Sequence, residues 1–151
     1  MSAEGIKCVL LADRHHGLSE GIRGLLECEF PAVVMVADET SLLESAARLG
    51  PNVVVADLAL TRGESFGWLH RLLARCPEAR VIVLSAHDEP AVVLSALQAG
   101  AMGLVFKRDI ASQLLDAISE VMNGRRYVPP GELRQLCGIA PPASIQDNQS
   151  S

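Results

Sequence analysis

Aromatic residues are scarce in this sequence: they make up 3% of the chain, whereas hydrophobic residues make up 49%. A core of useful size therefore has to be built from Val, Leu, Ile and Ala. Basic residues are also few: 13 Lys and Arg stand against 18 Asp and Glu, which gives a formal net charge of −5 at pH 7. A chain of this charge has no global basic field that would attract nucleic acid or an anionic membrane.

The sequence also lacks paired cysteines. Its 4 cysteines are scattered, and none stands in a CxxC pattern or at zinc-ligand spacing. We interpret them as reduced thiols of a cytoplasmic protein, with three of them helping to fill the core. No nucleotide-binding glycine motif, GxSxG motif or zinc framework occurs, so the usual sequence signatures of several enzyme classes are missing.

Long apolar segments are absent as well. The N-terminus has no signal-peptide layout, because its apolar run is short and ends at Asp13. The stretch from Pro90 to Phe106 carries no charge, but it contains Ser, Gln and Gly and falls below membrane-spanning length. We interpret this stretch as a buried helix followed by a buried strand, and we expect a soluble protein with no membrane partner.

Short runs of Val, Leu, Ile and Ala alternate with segments of helical periodicity. The runs are nearly continuous in apolar residues, which is typical of strands that are covered on both faces. The predicted strands are residues 6–12, 32–37, 52–56, 80–84 and 102–106. The predicted helices are residues 18–27, 42–49, 66–75, 91–99 and 111–122.

This alternation predicts an α/β protein with a (βα)5 chain. The connections between parallel strands are right-handed, and they place helices on both faces of the sheet. Five strands suit a parallel sheet of the flavodoxin-like order 2-1-3-4-5. In such a sheet a ligand lies at the carboxyl ends of strands 1 and 3, next to the point where the strand order reverses.

The alternating pattern fades after Gly124. Pro129-Pro130-Gly131 and Pro141-Pro142 bracket one short candidate helix, residues 132–136. The last residues, 143–151, are rich in Ser, Gln and Asn and are predicted to be disordered. We therefore divide the chain into one domain, residues 1–128, and a linker or disordered tail, residues 129–151.

Polar residues follow four of the predicted strands at the same end. Asp13 follows the first strand, Asp57 the third, Ser85 the fourth and Lys107 the fifth. One polar residue after a strand mostly reflects a solvated loop. Carboxylates, a hydroxyl and an amine that converge from different strands indicate a single chemical site.

His15 and His16 stand in the loop after the first strand. Paired histidines suggest zinc binding or acid–base chemistry. No matching cysteine or carboxylate triad accompanies them in the sequence, so the favoured interpretation is a pair of exposed loop residues.

Over roughly residues 6–128 the sequence resembles the receiver domains of two-component response regulators. The matching text, in order and at the family's spacing, is VLLADRHHGLSEGIRGLLE, PNVVVADLAL, VIVLSAHDE and GAMGLVFKRD. The closing helix and GRRYVPP resemble the NarL/LuxR subgroup, whose receivers usually precede a helix-turn-helix domain. The resemblance implies a signalling protein that is not an enzyme.

The resemblance implies a role for each polar residue at the strand ends. Asp57 matches the phosphoacceptor, which takes a phosphoryl group from a kinase histidine. Lys107 matches the lysine that holds an acyl-phosphate oxygen, and Ser85 matches the hydroxyl that reaches the phosphate. Asp13, Asp57 and Ala59 match the positions that hold Mg²⁺. These roles are physically reasonable, because phosphoryl transfer depends mostly on positioning and charge neutralisation.

The sequence departs from the family pattern most seriously at Arg14, where the second metal-binding acid is expected. Arginine keeps its proton at accessible pH. Its side chain either turns inward to pair with Asp57 or Asp13, or points to solvent, and Mg²⁺ binding should weaken or be lost in both cases. Leu104 also replaces the family's usual aromatic switch residue.

The resemblance favours a phosphorylation-controlled switch whose partner is a sensor histidine kinase. A homodimer through the first and fifth helices is a further expectation. The chain as given has no helices for DNA contact, so control of transcription would pass through a domain absent from it. Two alternatives remain: a phosphorylation-independent interaction module, and an enzyme that uses the same residues on a small metabolite.

Overall fold

The computed structural model describes residues 8–61 and 66–138. These residues form one five-stranded parallel sheet of order β2-β1-β3-β4-β5. The strands are β1 (Val9–Ala12), β2 (Val33–Val36), β3 (Val53–Asp57), β4 (Arg80–Ser85) and β5 (Gly103–Phe106). The predicted fold and strand order are confirmed, and residues 6 and 7 of the first predicted strand lie outside the described part.

A helix follows each strand, and one short helix is added at the end. The helices are α1 (His16–Glu27), α2 (Glu39–Leu49), α3 (Gly67–Arg75), α4 (Pro90–Gln98), α5 (Ile110–Met122) and α6 (Glu132–Leu136). Each lies within a few residues of its predicted bounds. The uncharged stretch forms α4 and β5 as predicted, and among the described residues no helix has the length and hydropathy to cross a bilayer.

The side chains of β3 show how the sheet is covered on both faces. Val54 and Ala56 lie in an apolar layer with residues of α2, α3 and α4. Val53 and Val55 point the other way, into a layer with residues of α1 and α5. All four are fully buried. Burial on both faces explains why the strands appear in the sequence as continuous apolar runs.

The ends of α2 are set by its local sequence. The Asp38 carboxylate accepts a hydrogen bond from the Ser41 backbone N–H at 2.8 Å, which satisfies a free donor of the first turn. The same bond lowers the pKa of the Asp38 carboxyl. Gly50 ends the helix in the left-handed conformation, with φ of 57°.

After α5 the chain returns to the edge of the sheet. Tyr127 forms a parallel bridge with Gly103 of β5. Val128 is fully buried in the layer shared with α2, α3 and α4, and residues flanking and within α6 pack on that layer. Part of the predicted linker therefore lies against the sheet. The domain boundary at 128 stays a prediction, and residues 139–151 lie outside the described part.

Gly100, just after α4, has φ of 115°, and a Cβ added there would lie 2.5 Å from Leu73 Cδ1. Gly100→Ala should lower the free energy of unfolding by about 2–3 kcal/mol, mainly because a φ of 115° strains a residue with a side chain, while the end of the Leu73 side chain has to move aside. Gly50→Ala is the matched control: φ is 57°, but nothing lies within 4 Å of the added Cβ. Its expected loss is about 1 kcal/mol. Urea denaturation measures both, and equal losses would contradict the larger strain expected at Gly100.

Candidate functional site

The register of the sheet brings Asp13 and Asp57 side by side. Ala12 of β1 lies opposite Ala56 of β3, so the residues that follow them leave neighbouring strands at the same level. Both are buried, with 3% of Asp13 and 2% of Asp57 exposed. Carboxylates at this depth need hydrogen-bond donors or cations around them.

Ser85 and Lys107 reach the same edge from β4 and β5. Ser85 ends β4, is fully buried and lies opposite Phe106. Lys107 is the next residue after Phe106 and begins a short 3-10 turn. Its ammonium donates a hydrogen bond to Oδ2 of Asp57. The structure therefore joins the carboxylate after β3 directly to the cation after β5.

The Asp57 carboxylate is held at both oxygens. Oδ1 accepts a hydrogen bond from the Ala59 backbone N–H at 3.0 Å, and Oδ2 accepts from Lys107. The 3-10 turn Leu58–Leu60, which Asp57 precedes, supplies that N–H. Asp57 is thus a fixed, charged carboxylate at the edge of the sheet, suited to nucleophilic attack or to binding a cation.

The Asp13 carboxylate has one bonded and one free oxygen. Oδ1 accepts the His15 backbone N–H at 2.8 Å. Oδ2 is buried and has no hydrogen-bond partner among the described residues. A buried carboxylate oxygen without a partner is rare in folded proteins, and it is available to a cation.

Among the described residues, no hydrogen bond joins Ser85 to Asp57. Its hydroxyl donates to the His87 carbonyl at 2.8 Å and accepts from the His87 N–H at 3.0 Å. These bonds close the turn that follows β4. The hydroxyl would have to leave them to reach a group bound on Asp57.

Arg14 is partly exposed, and its side chain makes one contact that the sequence did not indicate. Its Nη1 donates a hydrogen bond to the Ala59 carbonyl at 3.4 Å. In residues 8–61 and 66–138, no ion pair joins it to Asp13 or Asp57. The guanidinium therefore lies against a carbonyl that the family resemblance assigns to the metal.

His15 is the site residue that the sequence interpretation missed. Its side chain is 65% exposed, as expected of a loop residue, but its Nδ1 lies 3.3 Å from Asp13 Oδ1 and 3.8 Å from Asp57 Oδ2. The close spacing of Asp13 and His15 was the one signal in the sequence. His16 begins α1, and its side chain lies outside the described part.

The edge of the sheet fits Mg²⁺ only in part. Asp13 and Asp57 supply buried carboxylates, and one of their oxygens is free, which suits a cation that prefers oxygen ligands. The Ala59 carbonyl, however, already accepts a hydrogen bond from Arg14. An acidic pocket is present, but it offers an incomplete set of oxygen ligands for Mg²⁺. Within the described residues, the group that could hold a metal consists of Asp13, His15 and Asp57.

An open parallel sheet with a charged pocket at the point of strand reversal defines a doubly wound α/β protein with a ligand site at its carboxyl edge. The family model described as "Response regulator receiver domain" matches residues 9–119. The chain therefore belongs to the response regulator receiver family, as its sequence motifs predicted.

The relatives agree with a NarL/LuxR-like subgroup. The chain is 32% identical over 131 residues to the glycerol metabolism activator of Pseudomonas putida, covering 83% of this chain and 58% of that protein. It is 30% identical over 151 residues to the probable transcriptional regulatory protein NarL of Mycobacterium tuberculosis, covering 93% of this chain and 70% of that protein.

A solved structure is similar over almost the whole chain. The two-component response regulator of the LuxR family from Aurantimonas sp. SI85-9A1 superposes with a TM-score of 0.78 at 26% identity, covering 97% of this chain and 100% of that one. The curated relatives are mostly longer: the chain spans 58%, 52% and 62% of the length of three of them.

Proposed function

We propose that Asp57 is the phosphoacceptor of this receiver and takes its phosphoryl group from a phosphohistidine of a sensor kinase. The observation that carries the proposal is the Lys107 ammonium bonded to the buried Asp57 carboxylate at the point of strand reversal. In the transfer an Asp57 oxygen attacks phosphorus, the phosphorus–nitrogen bond breaks, and the imidazole nitrogen leaves with its electron pair. Positioning and charge neutralisation are the main demands of such a transfer.

The neighbouring residues would support the transfer in separate ways. Lys107 neutralises an oxygen of the phosphorylated carboxylate, and the Ala59 N–H fixes the orientation of the Asp57 carboxylate. The Ser85 hydroxyl, now bonded to His87, would exchange those bonds for the phosphoryl group. That exchange would release the turn after β4 and carry the signal to a partner.

Mg²⁺ would be held by Asp13 and Asp57, with the Ala59 carbonyl as a third ligand. When bound, it neutralises negative charge on the phosphoryl oxygens. Arg14 competes for the same carbonyl and adds a positive charge beside the cation. Magnesium binding is therefore weaker here than it would be with an acid at position 14.

The output that we propose is control of transcription. The names of the relatives, an activator and a transcriptional regulatory protein, support this output. A second copy of the chain would bind at a groove between α1 and α5. The groove has a volume of about 370 Å³ and is lined in part by Ile22, Leu25 and Ile110.

Acetyl phosphate tests the proposed function directly. With Mg²⁺ present, intact-mass spectrometry should show the gain of a single phosphoryl group. Hydroxylamine should then remove it, because an acyl phosphate is cleaved by this nucleophile whereas a serine phosphate is stable. Absence of labelling would overturn the proposal and leave the phosphorylation-independent module as the better description. A label that resists hydroxylamine would place the phosphate on another residue type.

A further inference from the structure

The His15 imidazole lies beside both buried carboxylates of the pocket. Its Nδ1 is 3.3 Å from Asp13 Oδ1 and 3.8 Å from Asp57 Oδ2. Its backbone N–H also donates to Asp13 Oδ1 at 2.8 Å, which fixes the start of the loop. A nitrogen that can donate its lone pair to a metal thus stands where the pocket opens to solvent.

A second observation at the same place points to a cation. Asp13 Oδ2 is buried and, within the described residues, lacks a hydrogen-bond partner. Leaving a charged acceptor unpaired costs free energy that a bound cation would recover. The free oxygen belongs to the carboxylate that the His15 ring contacts, so one cation could use both residues.

The spacing of the donor atoms suits a cation with tetrahedral coordination. Zinc lies about 2.0–2.2 Å from nitrogen and oxygen ligands, so two ligands at a tetrahedral angle are about 3.4 Å apart. Ligand atoms of Asp13, His15 and Asp57 all lie within 4.8 Å of one another. The His15 Nδ1 lies 3.3 Å from Asp13 Oδ1 and 3.8 Å from Asp57 Oδ2, and these two distances bracket the tetrahedral spacing. Small side-chain shifts would bring the ligand atoms of all three residues to this spacing.

We infer that Asp13, His15 and Asp57 form a site for a divalent cation that accepts an imidazole ligand, such as Zn²⁺ or Co²⁺. Imidazole suits zinc and its neighbours in the first transition row, whereas Mg²⁺ takes oxygen ligands in a near-octahedral set. With Arg14 in place of an acid and bonded to the Ala59 carbonyl, that oxygen set is depleted.

Two features limit the affinity without removing the site. Lys107 already donates to Asp57 Oδ2, so a cation would share that oxygen, which has more than one lone pair. The Arg14 guanidinium, bonded to the Ala59 carbonyl, adds a second positive charge near Asp57. The inference rests on the proposed function only in that it concerns the same pocket, and it names the cation that the pocket selects.

Calorimetric titration with Zn²⁺ and, separately, Mg²⁺ tests the site on the full chain with its thiols kept reduced. His15→Ala should weaken Zn²⁺ binding at least about tenfold, the size of effect seen even for groups that only orient a ligand. Its Mg²⁺ affinity should stay unchanged. His87→Ala is the matched control, because His87 is 66% exposed at its side chain and His15 is 65% exposed.

Three results would overturn the inference. They are equal Zn²⁺ affinity in the native protein and His15→Ala, an equal loss in His87→Ala, and a thiolate charge-transfer band when Co²⁺ is bound. The band would assign the metal to the cysteines. Labelling of Asp57 by acetyl phosphate is measured on the same proteins. Absence of labelling alone contradicts the proposed function and leaves the zinc site standing. Absence of zinc binding alone contradicts the zinc site and leaves the proposed function standing.

Discussion

Asp57→Asn is expected to abolish phosphoryl labelling by acetyl phosphate. The substitution keeps the size of the side chain but replaces a charged carboxylate with a neutral amide, which is not a nucleophile for phosphorus. It also leaves the Lys107 ammonium without the anion that it contacts. Asp13 is buried beside Asp57, but among the described residues no ion pair joins it to Lys107, so we do not expect it to take over the role.

Intact mass after a fixed incubation measures this loss. Asp88→Asn is the matched control, because Asp88 is an exposed carboxylate in the loop after β4 and pairs with Arg108. That variant should label like the native protein. Asp57→Ala guards against deamidation of the introduced amide. Equal labelling of the native protein and both Asp57 variants would remove this residue from the phosphoacceptor role.

Arg14→Asp is expected to raise Mg²⁺ affinity by at least about tenfold, a change of about 1.4 kcal/mol. The substitution frees the Ala59 carbonyl, adds an anionic ligand and removes a fixed positive charge. At ~5 Å and an effective dielectric constant near 20, repulsion between a +1 and a +2 charge is on the order of several kcal/mol. Arg14 is partly exposed, so solvent screens much of this repulsion. The expected gain in Mg²⁺ affinity is therefore nearer to tenfold than the unscreened repulsion would give.

The rate of Asp57 labelling should rise with the magnesium affinity of Arg14→Asp. Arg14→Gln removes the positive charge without adding a ligand, and it should fall between the native protein and Arg14→Asp. Arg125→Asp makes the same change in formal charge just after α5, at the opposite edge of the sheet, and should leave Mg²⁺ binding unchanged. If the native protein binds Mg²⁺ as tightly as Arg14→Asp, an inhibitory role for Arg14 is wrong.

The fold was predictable from the sequence because each strand is buried on both faces. A strand such as β3 then needs an apolar residue at nearly every position, and the continuous runs that result are separated from helices by residues such as Asp38 and Gly50. The return of Tyr127 to β5 was not predicted. A single bridge leaves no periodic pattern in the sequence, because its contacts lie with the sheet and not within the segment.

The sequence by itself determined that Asp13 and Asp57 lie at one edge of the sheet. Parallel strands end at one edge, so Asp13 and Asp57 had to meet wherever the strand order placed β1 beside β3. Only the tertiary structure decided what the long side chains contact there. Arg14 bonds to a carbonyl 45 positions away, and His15 lies against Asp57 as well as Asp13. A side chain with several rotatable bonds is oriented by its neighbours in space, which local sequence does not specify.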